Sequence, residues 1–239
     1  MVRLQPLRSG SLGVSRGYTL SPGHSVFHFK SIPPGEYVVR VEFQFGERLL
    51  SARQEIMVGG AHVEGIILDL HAPFPIVGRV SMNGTANLPQ NLHISLNAVD
   101  RQFHVPITPQ AGGRFQVEDV GPDRYSINAS DDSGTIYVKS VTLDTETVGI
   151  SGVNIPDPNH VLRIEISDKA GGIEGIALDN DQHPIVGGLA ILPGPNSKDL
   201  HSQAAVISND GRFSFRSLAP GKYRIRCFSD LKADRKSVV

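Results

Sequence analysis

Apolar and polar residues alternate in three matching places along the chain. Phe27 and Phe29 do so in SVFHFK, Phe115 and Val117 in GRFQVED, and Phe213 and Phe215 in GRFSFRS. A period of two is the signature of a strand with one buried face. Each run is followed by a proline (Pro34, Pro122, Pro220) and, three residues later, by a tyrosine (Tyr37, Tyr125, Tyr223). The proline fixes φ near about −65° and has no N–H to donate, so pairing stops there and the chain turns. Gly35, Gly221 and, in the middle copy, Asp123 are predicted to supply a left-handed residue in that corner. Beyond the tyrosine the alternation resumes as Tyr37-Val39-Val41, Tyr125-Ile127-Ala129 and Tyr223-Ile225-Cys227. The intervening Arg40, Asn128, Arg224 and Arg226 are predicted to face solvent. Ile32, Val120 and Leu218 also match, five residues before each tyrosine, without a gap in any copy. This is an internal repeat, with tyrosines 88 and 98 residues apart. A tyrosine just past such a corner is expected to tie its hydroxyl back to the upstream backbone, as in Greek-key sandwiches.

Further phrases recur around the corner. FPIVGRVSMNG (74–84) and GGIEGIALDNDQHPIVGGLAIL (171–192) both carry a glycine, Gly78 or Gly175, inside an apolar alternation. Asn83-Gly84 and the Asp179–Asp181 stretch read as hairpin turns. After the corner, RLLSARQEIMV (48–58) matches TIYVKSVTL (135–143), and GGAHVEGIILDL (59–70) matches TETVGISGVNI (145–155) as closing strands. One unit therefore has about seven short strands in roughly 90 residues, the size of an immunoglobulin-like sandwich. The expected fold is all-β, a tandem of Greek-key sandwiches. The expected units are 1–71, lacking its opening strands, a complete 72–166, and 167–239, lacking closing strands after SDLKADRKSVV. On this reading the chain is a fragment of a longer one.

Bulk composition narrows the function classes. Lys plus Arg (23) nearly cancel Asp plus Glu (24), and no window is strongly basic, which leaves no phosphate-binding footprint for nucleic acid. No apolar run is long enough to span a membrane as a helix, and the first residues lack the apolar region of a signal peptide. The lone Cys227 excludes an internal disulfide and reads as a small buried hydrophobe.

The phrases VGGLAILPG and SNDGRFSFRSLAPGKYRIRCF resemble the carboxypeptidase regulatory-like, or Cna-B-like, repeats, as does the stretch from YVKSVTL to IVGG. The resemblance covers almost the whole chain; the middle copy departs, with GPDRY at the corner and AGGRF at the preceding turn. It implies a prealbumin-like sandwich, often grouped as a carbohydrate-binding-like fold, in bacterial envelope or secreted proteins. It carries over no sugar-binding residue.

Candidate chemistry is sparse. No His is followed three residues later by Glu and no H-E-x-x-H occurs, so the zinc site of a carboxypeptidase has no ligands here. GVSRG (13–17) fits the G-x-S-x-G pattern, but YTLSPGH follows it where a nucleophile elbow needs a helix. The acids of ASDDSGT (129–135) lack the spacing of a calcium loop and read as an Asx-rich turn. No catalytic residue, metal or cofactor is expected. With no Trp in the chain, the best candidate platform for a sugar is Phe103, in the loop-like AVDRQFHVPI. The leading expectation is a non-catalytic structural, presentation or protein-interaction region whose partners are other domains of the same longer chain or envelope proteins. A polysaccharide-binding module is the alternative, and an accessory region of a larger enzyme or TonB-dependent-type transporter the second.

Overall fold

A computed structural model describes residues 1–7, 13–20, 23, 25–85, 87–99, 103–150, 152–193 and 202–228. The closing SDLKADRKSVV lies outside them. The regular structure among the described residues is nearly all β, gathered around three separate apolar clusters.

The first cluster is covered by one sheet of β1 (Val2–Pro6), β2 (Arg16–Tyr18), β3 (Gly35–Phe45) and β4 (Arg48–Val58), in the order β2-β1-β3-β4. Val2, Leu4, Tyr37, Val39, Val41 and Ala52 form its buried face. Alternation along β3 puts the tyrosine and the two valines inward. Opposite this sheet run residues 25–32 and 61–70, which form no strand, although Phe27, Phe29, Ile32, Ile66 and Leu68 pack on the cluster.

The second sandwich is built from β5 (Phe74–Met82), β6 (His93–Ala98), β7 (His104–Ile107), β8 (Arg114–Val120), β9 (Asp123–Ser130), β10 (Tyr137–Leu143), β11 (Glu146–Val148), β12 (Val153–Ile155) and β13 (Val161–Ser167). Its sheets are ordered β11-β10-β13-β5-β8 and β12-β9-β6-β7. Ile76 and Val80 from one sheet meet Leu96, Tyr125 and Ile127 from the other in a single core. Asn83 and Gly84 make the expected two-residue hairpin turn, both with positive φ (49° and 80°), but only Thr85 pairs beyond it.

The third cluster lies between β14 (Gly171–Ile176) paired with β17 (Arg212–Leu218), and a sheet of β16 (Ser202–Val206), β15 (Leu189–Pro193) and β18 (Arg226–Phe228). The expected Tyr223-Ile225-Cys227 strand is paired only from Arg226 onward, and Cys227 is exposed, not buried. The reason is position: β3 and β9 each have a neighbour on both sides, whereas β18 is an edge among the described strands.

Two sequence expectations are corrected by the pairing. Residues 48–58 do not take the place of β10: β4 stays hydrogen-bonded to β3 along its length, while β10 crosses to the other sheet. Ile56 stands opposite Tyr37 as Val153 stands opposite Tyr125, and Val58 opposite Gly35 as Ile155 opposite Asp123. The end of β4 is therefore the counterpart of β12. It follows that HVEGIILDL corresponds to HVLRIEISD of β13, not to the β11–β12 stretch.

The left-handed residue of the corner is also not where the sequence placed it. Asp123 and Gly221 have no positive φ, and Gly35 at 158° is nearly extended. Instead Ser31, Asp119 and Ser217, six residues before each tyrosine, adopt φ of 55°, 58° and 56°. In β8 and β17 this residue sits in a bulge, where two residues oppose one on β5 or β14. A left-handed non-glycine residue costs about 1–2 kcal/mol. Ser217→Val is therefore expected to lower stability by about 1–2 kcal/mol in urea unfolding, and Ser217→Gly to leave it equal or slightly raised.

Candidate functional site

The three corner tyrosines act alike. Tyr37 donates its hydroxyl hydrogen to the Pro33 carbonyl at 2.9 Å, Tyr125 to Gly121 at 2.8 Å and Tyr223 to Ala219 at 2.6 Å. Each ring fills its cluster while the hydroxyl satisfies a carbonyl freed by the Pro34, Pro122 or Pro220 corner, a buried hydrogen bond worth about 1 kcal/mol. Tyr37 and Tyr125 are fully buried and Tyr223 partly so; burial, with Tyr137 nearby, pushes the Tyr223 hydroxyl above its ordinary range.

The middle corner has a second role. Asp123, at the position of Gly35 and Gly221, is 1 % exposed and faces two arginines of the first sandwich. Arg40 donates through both terminal nitrogens, Nη1 to Oδ2 at 2.8 Å and Nη2 to Oδ1 at 2.9 Å. Arg53 lies 3.3 Å from Oδ1 through Nε and 2.9 Å from Glu55 through Nη2. Glu55 in turn is 3.3 Å from Arg124, the residue beside Asp123. Arg40 and Arg53 are cross-strand partners on β3 and β4, so they leave the sheet on the same face. Their side chains are 6 % and 5 % exposed. The expectation that Arg40 faces solvent is thus overturned: its face is outward for its own sheet but is covered by the next sandwich. A bidentate pair removed from water fixes geometry far more tightly than an exposed one.

The junction of the second and third sandwiches is built differently. The 131–135 turn reaches across, with Ala170 donating its N–H to Thr135 at 2.9 Å and Ser217 to Gly134 at 3.2 Å. Asp131 shapes this turn by accepting from the N–H groups of Thr135 and Ile136 and from the hydroxyls of Ser133 and Thr135. Burial pushes the Asp131 carboxyl up, but these donors outweigh it and hold the group below the usual carboxylate range. Asp131 of ASDDSGT thus makes an Asx turn, while its neighbour Asp132 accepts from Asn91.

A third polar cluster ties the β10–β11 turn to the segment before β13. His160 lies 2.7 Å from Asp144 through Nδ1 and 3.5 Å from Asp157 through Nε2. The hydrogen bond to Asp144 holds the imidazole above its ordinary 6.5, and the same bond holds Asp144 below its ordinary 3.8; the Asn159 N–H bond does so for Asp157. A raised histidine stabilises the fold fully below about pH 6.5 and loses that contribution as pH climbs through its folded pKa. The depressed carboxylates contribute above about pH 3.8 and lose it as pH falls through their folded values. The melting temperature is expected to peak between about pH 4 and 6.5 and fall on the alkaline side, a fall that His160→Gln should flatten in a pH-resolved thermal melt.

The remaining candidates are placed plainly. Phe103 is half-buried rather than an exposed platform: its ring lies 6.1 Å from that of Tyr125, packed on the core. The exposed phenylalanines are Phe43, Phe45 and Phe228 instead. Ser15 leads directly into strand β2, so among the described residues a strand stands where a nucleophile elbow needs a helix. Asp179, Asp181 and His183 come close together, all exposed, in a turn where the Asp179 carboxylate accepts the N–H groups of the other two. No helix among the described residues is long and apolar enough to cross a membrane.

Comparison with known proteins bears on the middle sandwich. Residues 71–155 match the family described as BOS complex subunit NOMO1-like, second beta sandwich domain. The match spans 85 of the 239 residues, and its description as a β-sandwich agrees with the two sheets built from β5 to β13. No curated protein matches the chain. Among solved structures, a streptococcal ancillary pilin is 15% identical with a TM-score of 0.27, over 82% of this chain and 67% of the pilin. A single B repeat unit of the collagen-binding surface protein of Staphylococcus aureus is 12% identical with a TM-score of 0.25, over 67% of this chain and 88% of the other. The Bacillus anthracis TIE protein is 11% identical with a TM-score of 0.26, over 82% of this chain but only 38% of its own.

Proposed function

We propose that this chain is a non-catalytic tandem of sandwiches that holds other protein parts at a fixed spacing and orientation, within an envelope or secreted protein. The observation that carries this reading is the Asp123 junction. Two arginines and an aspartate taken out of water cost desolvation that a flexible linker would never incur. What they supply is a fixed angle between neighbouring sandwiches, the property a stalk or presentation module needs. The family matched by the middle sandwich is named for a subunit of a complex, which favours a protein as the partner. The envelope location follows the sequence resemblance alone.

The test is a distance between the first two sandwiches. Spin labels at Arg3→Cys and Arg79→Cys, in a Cys227→Ser background, should give one narrow interspin distribution in frozen solution. Asp123→Ala should broaden it. A distribution already broad with Asp123 in place would exclude the rigid-spacer reading.

A further inference from the structure

The outer face of the five-stranded sheet in the second sandwich carries a charge pattern that its own fold does not use. Along β5, Ile76, Gly78 and Val80 face the core, with Gly78 beneath the Phe115 ring as Gly175 lies beneath Phe213 in the third sandwich. Alternation therefore turns Val77 and Arg79 outward. It does the same for Val161, Arg163 and Glu165 of β13 and for Arg114, Gln116 and Glu118 of β8. The register then sets three arginines side by side, Arg163 opposite Arg79 and Arg79 opposite Arg114. All of them are exposed. Thr142 of β10 and Thr147 of β11 continue the same row to the far edge of the sheet. Positions 79, 114 and 163 are remote from one another in the chain, so no sequence window shows the cluster.

Like charges directly opposite one another weaken a sheet, and a guanidinium does not escape the penalty by losing its proton. The neighbouring acids are engaged elsewhere. Glu165, one row along, accepts from the Ser81 hydroxyl and the Gly84 N–H, and Glu118 accepts from the Gln116 amide. Arg163 donates through Nη1 to the Asp144 carbonyl, while the Asp144 carboxylate is held by His160. Among the described residues, neither Arg79 nor Arg114 has a side-chain hydrogen bond or an ion pair. We infer that this row docks an acidic helix of a partner protein, with carboxylates repeating every three or four residues along one helix face. Neighbouring strands lie about 4.8 Å apart, and helix side chains at that repeat lie about 5–6 Å apart. Successive carboxylates can therefore meet successive arginines in bidentate pairs. An extended segment fits less well, since its same-side residues are about 6.8 Å apart. A carboxylated glycan also fits less well, because no aromatic ring stands in the row or in the rows beside it, where Val77 pairs with Val161 and Ser81 with Glu165. The two valines are 43% and 37% exposed and offer the helix an apolar contact alongside the charges.

The inference goes beyond the spacer reading and names the chemistry of a partner. Its test uses the whole chain and a labelled alanine-rich helical peptide with glutamate at every fourth position, beside the same peptide with glutamine. Saturable fluorescence anisotropy at low ionic strength is expected with the glutamate peptide, weakening as salt is raised. Arg79→Glu, in the middle of the row, should weaken binding at least about tenfold. Lys222→Glu makes the same charge change at an exposed position of the third sandwich and should leave binding unaltered. Arg79→Gln should also bind weakly while melting at the same temperature as the parent or higher, because it relieves the row. A lower melting temperature for Arg79→Gln would give the row a structural role and overturn the inference. Absence of saturation, equal binding of the glutamine peptide, or equal loss with Lys222→Glu would do so too. Tighter binding of a polyuronate or of single-stranded DNA would overturn it as well, since the occupant would then be a glycan or a nucleic acid. None of these results bears on the interspin distance across the Asp123 junction, so the spacer reading stands or falls separately.

Discussion

Asp123→Ala is expected to cost about 3–5 kcal/mol, the penalty of leaving buried charge without its partner. Arg40 and Arg53 would both keep their positions under the second sandwich while losing the carboxylate that neutralises them. The cheapest relief is separation of the two sandwiches so that water reaches the guanidinium groups. A single cooperative denaturation of the first two sandwiches should therefore split into two, the first sandwich melting earlier. Asp123→Gly separates the two roles of the residue. It restores the glycine found at the other corners, so the second sandwich should keep its own stability while the junction is lost. Replacing all three charges with apolar residues of similar volume should return most of the stability, because the desolvation cost disappears with the attraction. Denaturation followed by separate probes in each sandwich measures all of this. A loss below about 0.5 kcal/mol for Asp123→Ala would mean a solvated pair of the surface kind, and the junction would no longer support a rigid spacer.

The residues that build each sandwich were legible in the sequence, and those that join two of them were not. Phe-x-Phe, the corner proline and the tyrosine report local periodicity and local backbone restraint, which one unit's own physics dictates. Arg40 obeys the same rule within its unit, since it alternates with Val39 and Val41 and faces away from the core. Its burial comes from Asp123, 83 residues further on, and periodicity carries no information at that range. One signal was available: the middle copy breaks the corner glycine with a charged residue. A departure from a repeat at a position the fold would fill with glycine marks a residue selected for something outside its own unit. Phe103 failed for the converse reason, because a loop-like composition gave no hint that its ring reaches back onto Tyr125. The strand pairing of 48–58 was missed because β4 and β10 have similar alternation, and alternation does not say which sheet a strand joins.

The glycine beneath the phenylalanine gives the other large expected effect, and the two copies should respond differently. At Gly175 the three atoms nearest an added Cβ are ring carbons of Phe213, the closest at 2.6 Å. At Gly78 the Phe115 ring is at 2.4 Å, but the Leu162 carbonyl oxygen of the parallel neighbour is closer still, at 2.1 Å. A side chain can move aside; a carbonyl paired in the middle of a five-stranded sheet cannot without opening that sheet. Gly175→Ala is expected to cost about 1–3 kcal/mol by overpacking, and Phe213→Leu in the same chain should recover much of it by freeing the space over the new methyl group. Gly78→Ala should cost more than about 3 kcal/mol, and Phe115→Leu should not rescue it, since the clash with Leu162 remains. Thermal and urea unfolding of the four variants tests the contrast. Equal rescue at both sites would show that the phenylalanine ring alone demands the glycine. Failure of rescue at Gly175 would place the demand in the backbone of β14, where its register with β17 already shifts between Gly171 and Ile173.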